Sequence, residues 1–340
     1  MTETLTDTRA DRAVAPLLEV DDLHVEFRSG REVVSAVNGV TFTLEAGRTL
    51  AIVGESGSGK SVTAQAIMRL LQTPPARISG GEIRFRGQDL LALPEPEHRA
   101  VCGEHIAIVF QDALAALNPV YTVGFQLTEA LRSRRHVPRS EARNRAVDLL
   151  DLVQVPNPRQ RIKEYPHQFS GGMRQRVMIA MALALEPEVL IADEPTTALD
   201  VTVQAQIMRL LGEIQAEREM GLILITHDLG VVAEVADQVN VMYAGRMVEA
   251  APVEEIFARP AHPYTGALLR SIPRLDQKGQ QLEAIGGRPP ELSHIPSGCP
   301  FHPRCPRDED VCRTDPPPQL RDLGDDRYAA CHFAEESQIP

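Results

Sequence analysis

A chain of 340 residues, 43% hydrophobic and 24% charged, has the composition of a folded protein and suffices for one large domain, or for a domain with an appendage. Its net charge of -12 weighs against a nucleic-acid binder, which carries a basic footprint, and its longest apolar run, Val177 to Leu185, is too short to cross a bilayer. The opening MTETLTDTRADRAVAP has no apolar h-region and carries acids, so residues 1–16 are expected to be a flexible tail rather than a signal peptide, and the protein to be cytoplasmic.

LLEVDDLHVEF and VTFTLEAG alternate and are rich in β-branched residues, which predicts strands of an N-terminal antiparallel β region. TLAIVGESGSGKSVTAQAIMRLL then predicts a buried strand, a glycine-rich loop and a helix. Within it, GESGSGKS fits G-x-x-x-x-G-K-[ST] in the strand-to-helix context that this phosphate-binding loop (P-loop) requires. Gly54, Gly57 and Gly59 let the backbone turn its N–H groups inward, those of Glu55, Ser56 and Ser58 among them, and the helix N-terminus at Val62 adds a favourable dipole. Arginine supplies nearly all the basic residues, and the three lysines are Lys60, Lys163 and Lys278. At position 60 the compact ammonium suits β- and γ-phosphates, and the Ser61 hydroxyl suits Mg²⁺.

GGEIRFRG and HIAIVFQD predict further strands, after which residues 112–170 turn helical and polar, as an α-helical subdomain inserted between strands of one sheet. A helix over SGGMRQRVMIAMALAL follows, then a strand VLIAD, a helix VTVQAQIMRLLGEIQAE, a strand GLILITHD and a helix VVAEVAD. This alternation predicts an α/β parallel sheet. VLIADEP delivers Asp193 and Glu194 to the C-terminal end of a buried strand, where ligands of such sheets bind. Asp193 is placed to hold Mg²⁺, directly or through water, and Glu194 to orient or deprotonate an attacking water. FSGGMRQR has a physical reading of its own: Ser170 can cap the helix that starts there, while Gly171 and Gly172 keep its N–H groups accessible to an anion.

Beyond about Ala250 the composition shifts to Pro, Gly and Cys, a region too small to bury a core alone. Four of the five cysteines lie here: Cys299, Cys305, Cys312 and Cys331, spaced C-x5-C-x6-C-x18-C. The fifth, Cys102, reads as a small apolar residue. In a reducing compartment such a group suggests metal rather than disulfides. The spacing lacks the close C-x2-4-C pairs of common zinc modules and the C-x2-C-x2-C run of ferredoxins. It leaves open a four-thiolate zinc site, a [4Fe–4S] cluster, or zinc held by thiolates together with His302 or His332.

Taken in order, these motifs resemble the ATP-binding subunits of ABC transporters over roughly Leu18 to Ala250. Gln111 in VFQD is similar to the Q-loop glutamine, FSGGMRQR to the signature, Ala198–Asp200 to the D-loop and His227 in ITHD to the switch histidine. Phe169 and Met173 depart from the commonest LSGGQ, but the Ser-Gly-Gly that faces phosphate is intact. DEPTTALDVTVQAQI, HDLGVVAEVADQVNVMYAGRMVE, HPYTGALLRSIP and IPSGCPFHPRC further resemble the D-type ATPase subunit of oligopeptide, dipeptide and nickel importers.

The resemblance implies a P-loop NTPase (RecA-like) core: an ABC ATPase domain over residues 17–258 with its helical subdomain at about 112–170, and a peptide-importer C-terminal region over 259–340. It implies ATP hydrolysis with Mg²⁺ held by Ser61, Gln111 and Asp193, and with Glu194, His227, Lys60 and Gln111 in the catalytic roles. Ser170, Gly171, Gly172 and Asp200 would face the nucleotide bound by a second ATPase subunit, expected to be a homologous F-type one. Phe27 is the candidate for stacking on adenine, and Cys299, Cys305, Cys312 and Cys331 would hold a [4Fe–4S] cluster, with Zn²⁺ as the alternative. The expected partners are that second ATPase, two membrane permeases and an extracytoplasmic substrate-binding protein. The expected location is the cytoplasmic face of the cell membrane. Peptide is the expected cargo, nickel or another small solute the alternative. A soluble ABC ATPase that acts on nucleic acid or ribosomes is disfavoured by the single cassette and the acidic balance.

Overall fold

The computed structural model describes residues 15–30, 32–134, 136–197, 199–272 and 285–335. Nearly all of the expected N-terminal tail, and Ala198 of the ALD triplet, lie outside these residues. In chain order the strands are β1 (Leu18–Ser29), β2 (Glu32–Leu44), β3 (Thr49–Val53), β4 (Ala76–Phe85), β5 (Gln88–Asp89), β6 (Ile106–Val109), β7 (Val189–Asp193), β8 (Gly221–Thr226), β9 (Gln238–Tyr243), β10 (Arg246–Pro252), β11 (Arg321–Asp322) and β12 (Tyr328–Ala329). The helices are α1 (Lys60–Ile67), α2 (Glu95–Glu104), α3 (Ala113–Ala116), α4 (Val123–Arg134), α5 (Arg139–Leu152), α6 (Pro158–Arg161), α7 (Gly171–Ala182), α8 (Val201–Arg218), α9 (Leu229–Val235), α10 (Val253–Ala258) and α11 (Pro263–Arg270).

β3, β7 and β8 are apolar except for Thr49, Asp193 and Thr226 at their ends, and every residue in them is buried. Strands covered on both faces take this composition because no position meets water. They pair in parallel at the centre of an eight-stranded sheet of order β11-β12-β10-β9-β3-β8-β7-β6. The register sets Val53 beside Thr226, Asp193 beside Ile225 and Val109 beside Ala192, so the loops that leave four parallel strands emerge together. A second, antiparallel sheet of order β2-β1-β4-β5 covers α1, and Leu18, Val20, Leu23, Val40, Ile67 and Ile83 form a common core. In the helical subdomain α4, α5 and α7 bury Leu127, Leu131, Leu150, Phe169 and Val177. Phe169 is 2% exposed, which accounts for an apolar residue at the head of the signature. None of the described helices is long and apolar enough to cross a membrane.

Among its described residues the cysteine-rich region has only a small apolar cluster of its own, Ala261, Ala329 and Ala334, and is otherwise built onto the rest. β12 pairs with β10 (Glu249 opposite Ala329), which extends the central sheet. Phe301 packs against the touching pair Tyr243 and Tyr264, with ring centroids 5.3 Å from each. The approach to α11 is pinned by a buried carboxylate: Glu249 accepts from the N–H groups of Ala261 (2.6 Å) and His262 (2.8 Å). His262 caps α11, its Nδ1 accepting from the Tyr264 N–H at 3.0 Å.

Complete burial pushes the His262 pKa down to about 3, so the folded protein holds the ring neutral. The unfolded chain takes up a proton below about pH 6.5. The contribution is therefore intact above pH 6.5 and declines as pH falls toward 3, by up to about 1.4 kcal/mol per pH unit. Melting curves at pH 7.5 and pH 5 are expected to differ less in His262→Asn, which keeps a capping acceptor, than in the wild type. Equal differences would contradict this account of His262.

Candidate functional site

The phosphate loop runs from the end of β3 into α1 with its glycines in left-handed backbone. A Cβ on Gly54 (φ 151°) would lie 2.2 Å from the Met242 carbonyl oxygen, and one on Gly59 (φ 105°) 2.6 Å from that of Ala36. No side chain fits at either place. Ser56 and Gly57 are exposed at the crest and Ser58 is buried below. Val62, in the first turn of α1, packs against the core under the antiparallel sheet. Lys60 folds back into the loop, its Nζ donating to the carbonyl oxygens of Gly54 (2.8 Å) and Glu55 (2.9 Å) and to Ser58 Oγ (3.4 Å). Burial lowers its pKa, opposed by the carboxylates of Glu194, Asp193 and Glu55.

Ser61 Oγ donates to Asp193 Oδ1 at 2.9 Å across the gap between α1 and β7. Burial raises the Asp193 pKa, and the Ser61 hydrogen bond opposes the rise. A hydroxyl beside a carboxylate is a hard-oxygen donor set, which suits a Mg²⁺ ion that takes its remaining ligands from water and phosphate.

Glu194 follows at once, in left-handed backbone (φ 46°) that a non-glycine residue adopts at a cost of about 1–3 kcal/mol. Its N–H donates to the Ile225 carbonyl (2.9 Å), so sheet pairing holds the turn. Three side chains converge on its carboxylate. Gln111 Nε2 donates to Oε2 at 2.9 Å, Thr197 Oγ1 donates to Oε2 at 2.8 Å, and His227 Nδ1 lies 3.5 Å from Oε1. Gln111 comes from the loop after β6 and His227 from the end of β8, so the sheet register assembles this group. The sequence singled out Gln111, Glu194 and His227 but not Thr197.

The signature opens α7. Ser170 caps α7, its Oγ accepting from the Met173 N–H at 3.4 Å, and Ser170 and Gly171 are exposed. Gly172 is held close to α8, where a Cβ would meet Val203 Cγ1 at 2.6 Å. Asp200 caps α8, its carboxylate accepting from the Val203 N–H at 3.0 Å, and Val201 beside it is 83% exposed. Phe27 is half-buried on β1 opposite Val34, and Val34 lines an open groove with Glu55–Ser58, Tyr243 and Pro289–Ser293.

All four C-terminal cysteines line one small apolar pocket, together with Phe301, His302, Phe333 and His332. The Arg307 N–H donates to Cys305 Sγ and the Phe333 N–H to Cys331 Sγ, both at 3.4 Å, and the Phe301 N–H donates to Cys299. Each donor lies two residues beyond its cysteine. Burial pushes the thiol pKa up, to about 12 at Cys299 and about 11 at Cys305, and the neighbouring thiols push in the same direction. His332 Nε2 is buried without a hydrogen-bond partner. Among the described residues no three His, Cys, Asp or Glu side chains are grouped to hold a single metal ion. Cys102 is partly buried, with its Sγ 3.4 Å from His98 Nε2, and burial pushes its pKa to about 11, as an inert thiol requires.

Sequence reasoning assigned no role to Tyr264 or Arg304, which lie in the stretches HPYTGALLRSIP and IPSGCPFHPRC. Tyr264 OH accepts from the Glu55 N–H (2.9 Å), and Arg304 holds the Glu55 carboxylate through Nη1 (2.6 Å) and Nη2 (3.0 Å).

The ABC transporter family model matches residues 37–197, and that of the oligopeptide/dipeptide transporter C-terminal region matches residues 248–312. The chain is 54% identical over 296 residues to the dipeptide transport ATP-binding protein DppD of Bacillus subtilis, which covers 87% of this chain and 88% of the relative. It is 52% identical over 326 residues to the oligopeptide transport ATP-binding protein OppD of Salmonella typhimurium, which covers 96% of both. Among solved structures, the dimeric ABC transporter cassette MJ0796 superposes with a TM-score of 0.63 at 27% identity, over 69% of this chain and 98% of that one. The cbiO1 component of the cbiONQ ABC transporter complex from Clostridium perfringens gives 0.62 at 30% identity, over 72% and 91%.

Proposed function

This chain belongs to the oligopeptide/dipeptide branch of the ABC transporter ATP-binding proteins, and from that premise we propose how its residues divide the work of an ATPase that drives peptide import. The chain binds ATP and couples its hydrolysis to peptide transport. The observation that carries the residue assignment is the convergence of Gln111, Thr197 and His227 on the Glu194 carboxylate, beside Lys60 and Asp193.

In this reading the N–H groups of the loop, with Lys60, grip the β- and γ-phosphates, and the Lys60 ammonium exchanges its carbonyl partners for phosphate oxygens. Ser61, Asp193 and Gln111 would hold Mg²⁺, which when bound offsets charge on the transferring phosphoryl group. Glu194 accepts a proton from the attacking water while His227 and Gln111 fix the carboxylate's direction. Catalysis then rests on positioning and charge rather than on covalent chemistry. Phe27 is assigned to the adenine face, supported by its pairing with Val34 on the groove beside the loop.

Ser170, Gly171 and Gly172 belong to a second subunit's nucleotide. They are an anion-binding helix start, largely exposed, on a helix whose core is separate from that of α1. That the MJ0796 cassette is dimeric supports a pair, which in this reading is head to tail with Asp200 and the exposed Val201 at the seam. The partner in this reading is a homologous F-type ATPase. Two permeases dock on residues 112–127, at the cytoplasmic face of the membrane, and an extracytoplasmic binding protein delivers peptide. Val120 (70% exposed) and the stacked pair Tyr121 and Phe125, with ring centroids 4.5 Å apart, supply an apolar surface for that contact. Co-purification of the chain with two permeases and a second ATPase, and ATP turnover stimulated by a peptide-loaded binding protein, test the assignment. Turnover indifferent to those partners would contradict it.

The four cysteines are assigned to a [4Fe–4S] cluster. Support comes from their convergence on one pocket and from N–H donors aimed at Cys299, Cys305 and Cys331. Buried thiols that raise one another's pKa become thiolates once cationic iron is bound. The cluster's part is to staple a segment with little core of its own. Anaerobically purified protein is expected to be brown with stoichiometric iron and sulfide, and Cys312→Ser to lose most of both and melt at lower temperature. Colourless protein with one zinc per chain would overturn this assignment.

A further inference from the structure

Glu55 has all its polar atoms engaged. Its N–H donates to Tyr264 OH (2.9 Å), its carbonyl accepts from Lys60 Nζ (2.9 Å), and its carboxylate is gripped by Arg304 through two nitrogens. The first and third partners come from the C-terminal region, the second from the phosphate loop itself. Arg304 is as fully held: its side chain is 4% exposed, Nε donates to the Gly286 carbonyl (2.8 Å), Nη1 also donates to Tyr243 OH (3.3 Å), and the guanidinium lies 5.8 Å and 5.9 Å from the Tyr243 and Phe301 rings. A planar fork that meets a carboxylate through two nitrogens fixes direction as well as distance, which an ammonium cannot do.

From this we infer that Arg304 is a positioning residue for nucleotide binding: it locks the first turn of the phosphate loop through Glu55, so that Arg304 sets ATP affinity without itself touching ATP. The inference rests on the ATPase reading above. The loop binds phosphate with N–H groups whose directions must be fixed before the ligand arrives, and preorganisation of this kind appears as affinity. The lock also acts on Lys60, because the Glu55 carbonyl that accepts from Lys60 Nζ belongs to the residue Arg304 holds. Arg304 lies between Cys299 and Cys305 in the short 3₁₀ turn His302–Arg304, so the thiol pocket and the phosphate loop share this one arginine.

The test uses the full-length chain with a fluorescent ATP analogue and Mg²⁺, and compares Arg304→Gln, Arg304→Lys, Glu55→Gln and the double variant Glu55→Gln/Arg304→Gln. Arg304→Gln is expected to raise the nucleotide Kd and the KM for ATP by about 10-fold or more, with kcat changed much less. Arg304→Lys should recover only part of this, and the double variant should be no worse than Arg304→Gln, because both remove one interaction. Glu55→Gln leaves the C-terminal region unaltered and reports from the loop side if Arg304→Gln fails to fold. A lower melting temperature with Kd unchanged, or single effects that add in the double variant, would overturn the inference. Wild-type protein that binds no MgATP would instead overturn the ATPase reading itself.

Discussion

Glu194→Gln is expected to slow ATP turnover by about 10²–10⁴-fold while MgATP binding stays within a few-fold of wild type. The amide is nearly isosteric and still offers an oxygen to Gln111 and Thr197, so the geometry around it survives. What is lost is the ability to take a proton. Glu194 is not a phosphate ligand in this account, so ground-state affinity has no reason to fall, and the split between kcat and KM is the signature of a group that acts in the transition state. Single-turnover hydrolysis beside equilibrium nucleotide binding measures both. A variant that keeps more than a tenth of wild-type turnover would remove Glu194 from the base role and leave water positioning to other groups.

Lys60→Ala is expected to fail one step earlier, at binding. Its ammonium is buried at the centre of the loop and its present partners are two carbonyls and a hydroxyl, all of which a phosphate can displace. Truncating one partner of a buried, charge-assisted contact costs about 2–5 kcal/mol, which is about 30-fold in Kd or more. The two variants therefore separate the stages, Lys60→Ala losing affinity and Glu194→Gln losing turnover. Lys60→Ala with near-normal nucleotide affinity would mean that the loop N–H groups suffice, and would demote the lysine to a transition-state contact.

The residues proposed to handle nucleotide were legible in the sequence because such chemistry demands contiguous motifs. A loop that wraps phosphate must keep its glycines and lysine in fixed spacing, and a buried parallel strand that ends in acids reads as an apolar run followed by Asp193 and Glu194. The C-terminal half of the architecture was harder to read. β9 and β10 join through Ala244 and Gly245, both in left-handed backbone (φ 49° and 78°), a tight hairpin turn that Asn or Asp would have advertised and Ala does not. β12 is two residues long and exists because β10 offers an edge, which no local pattern records. The pairing of Arg304 with Glu55 spans 249 positions of sequence and leaves no mark on either local stretch. The cysteines announced a site by type and crowding, yet only the fold brings Cys331 back beside the other three.

The most direct test of the central claim is peptide uptake into vesicles that contain the assembled transporter, with this chain as wild type or as Glu194→Gln. ATP-dependent accumulation of peptide in step with ATP hydrolysis is expected for the wild type, and loss of both in the variant while the complex stays assembled. Uptake that persists in the Glu194→Gln complex, or ATP hydrolysis that proceeds at full rate with no peptide moved, would contradict it.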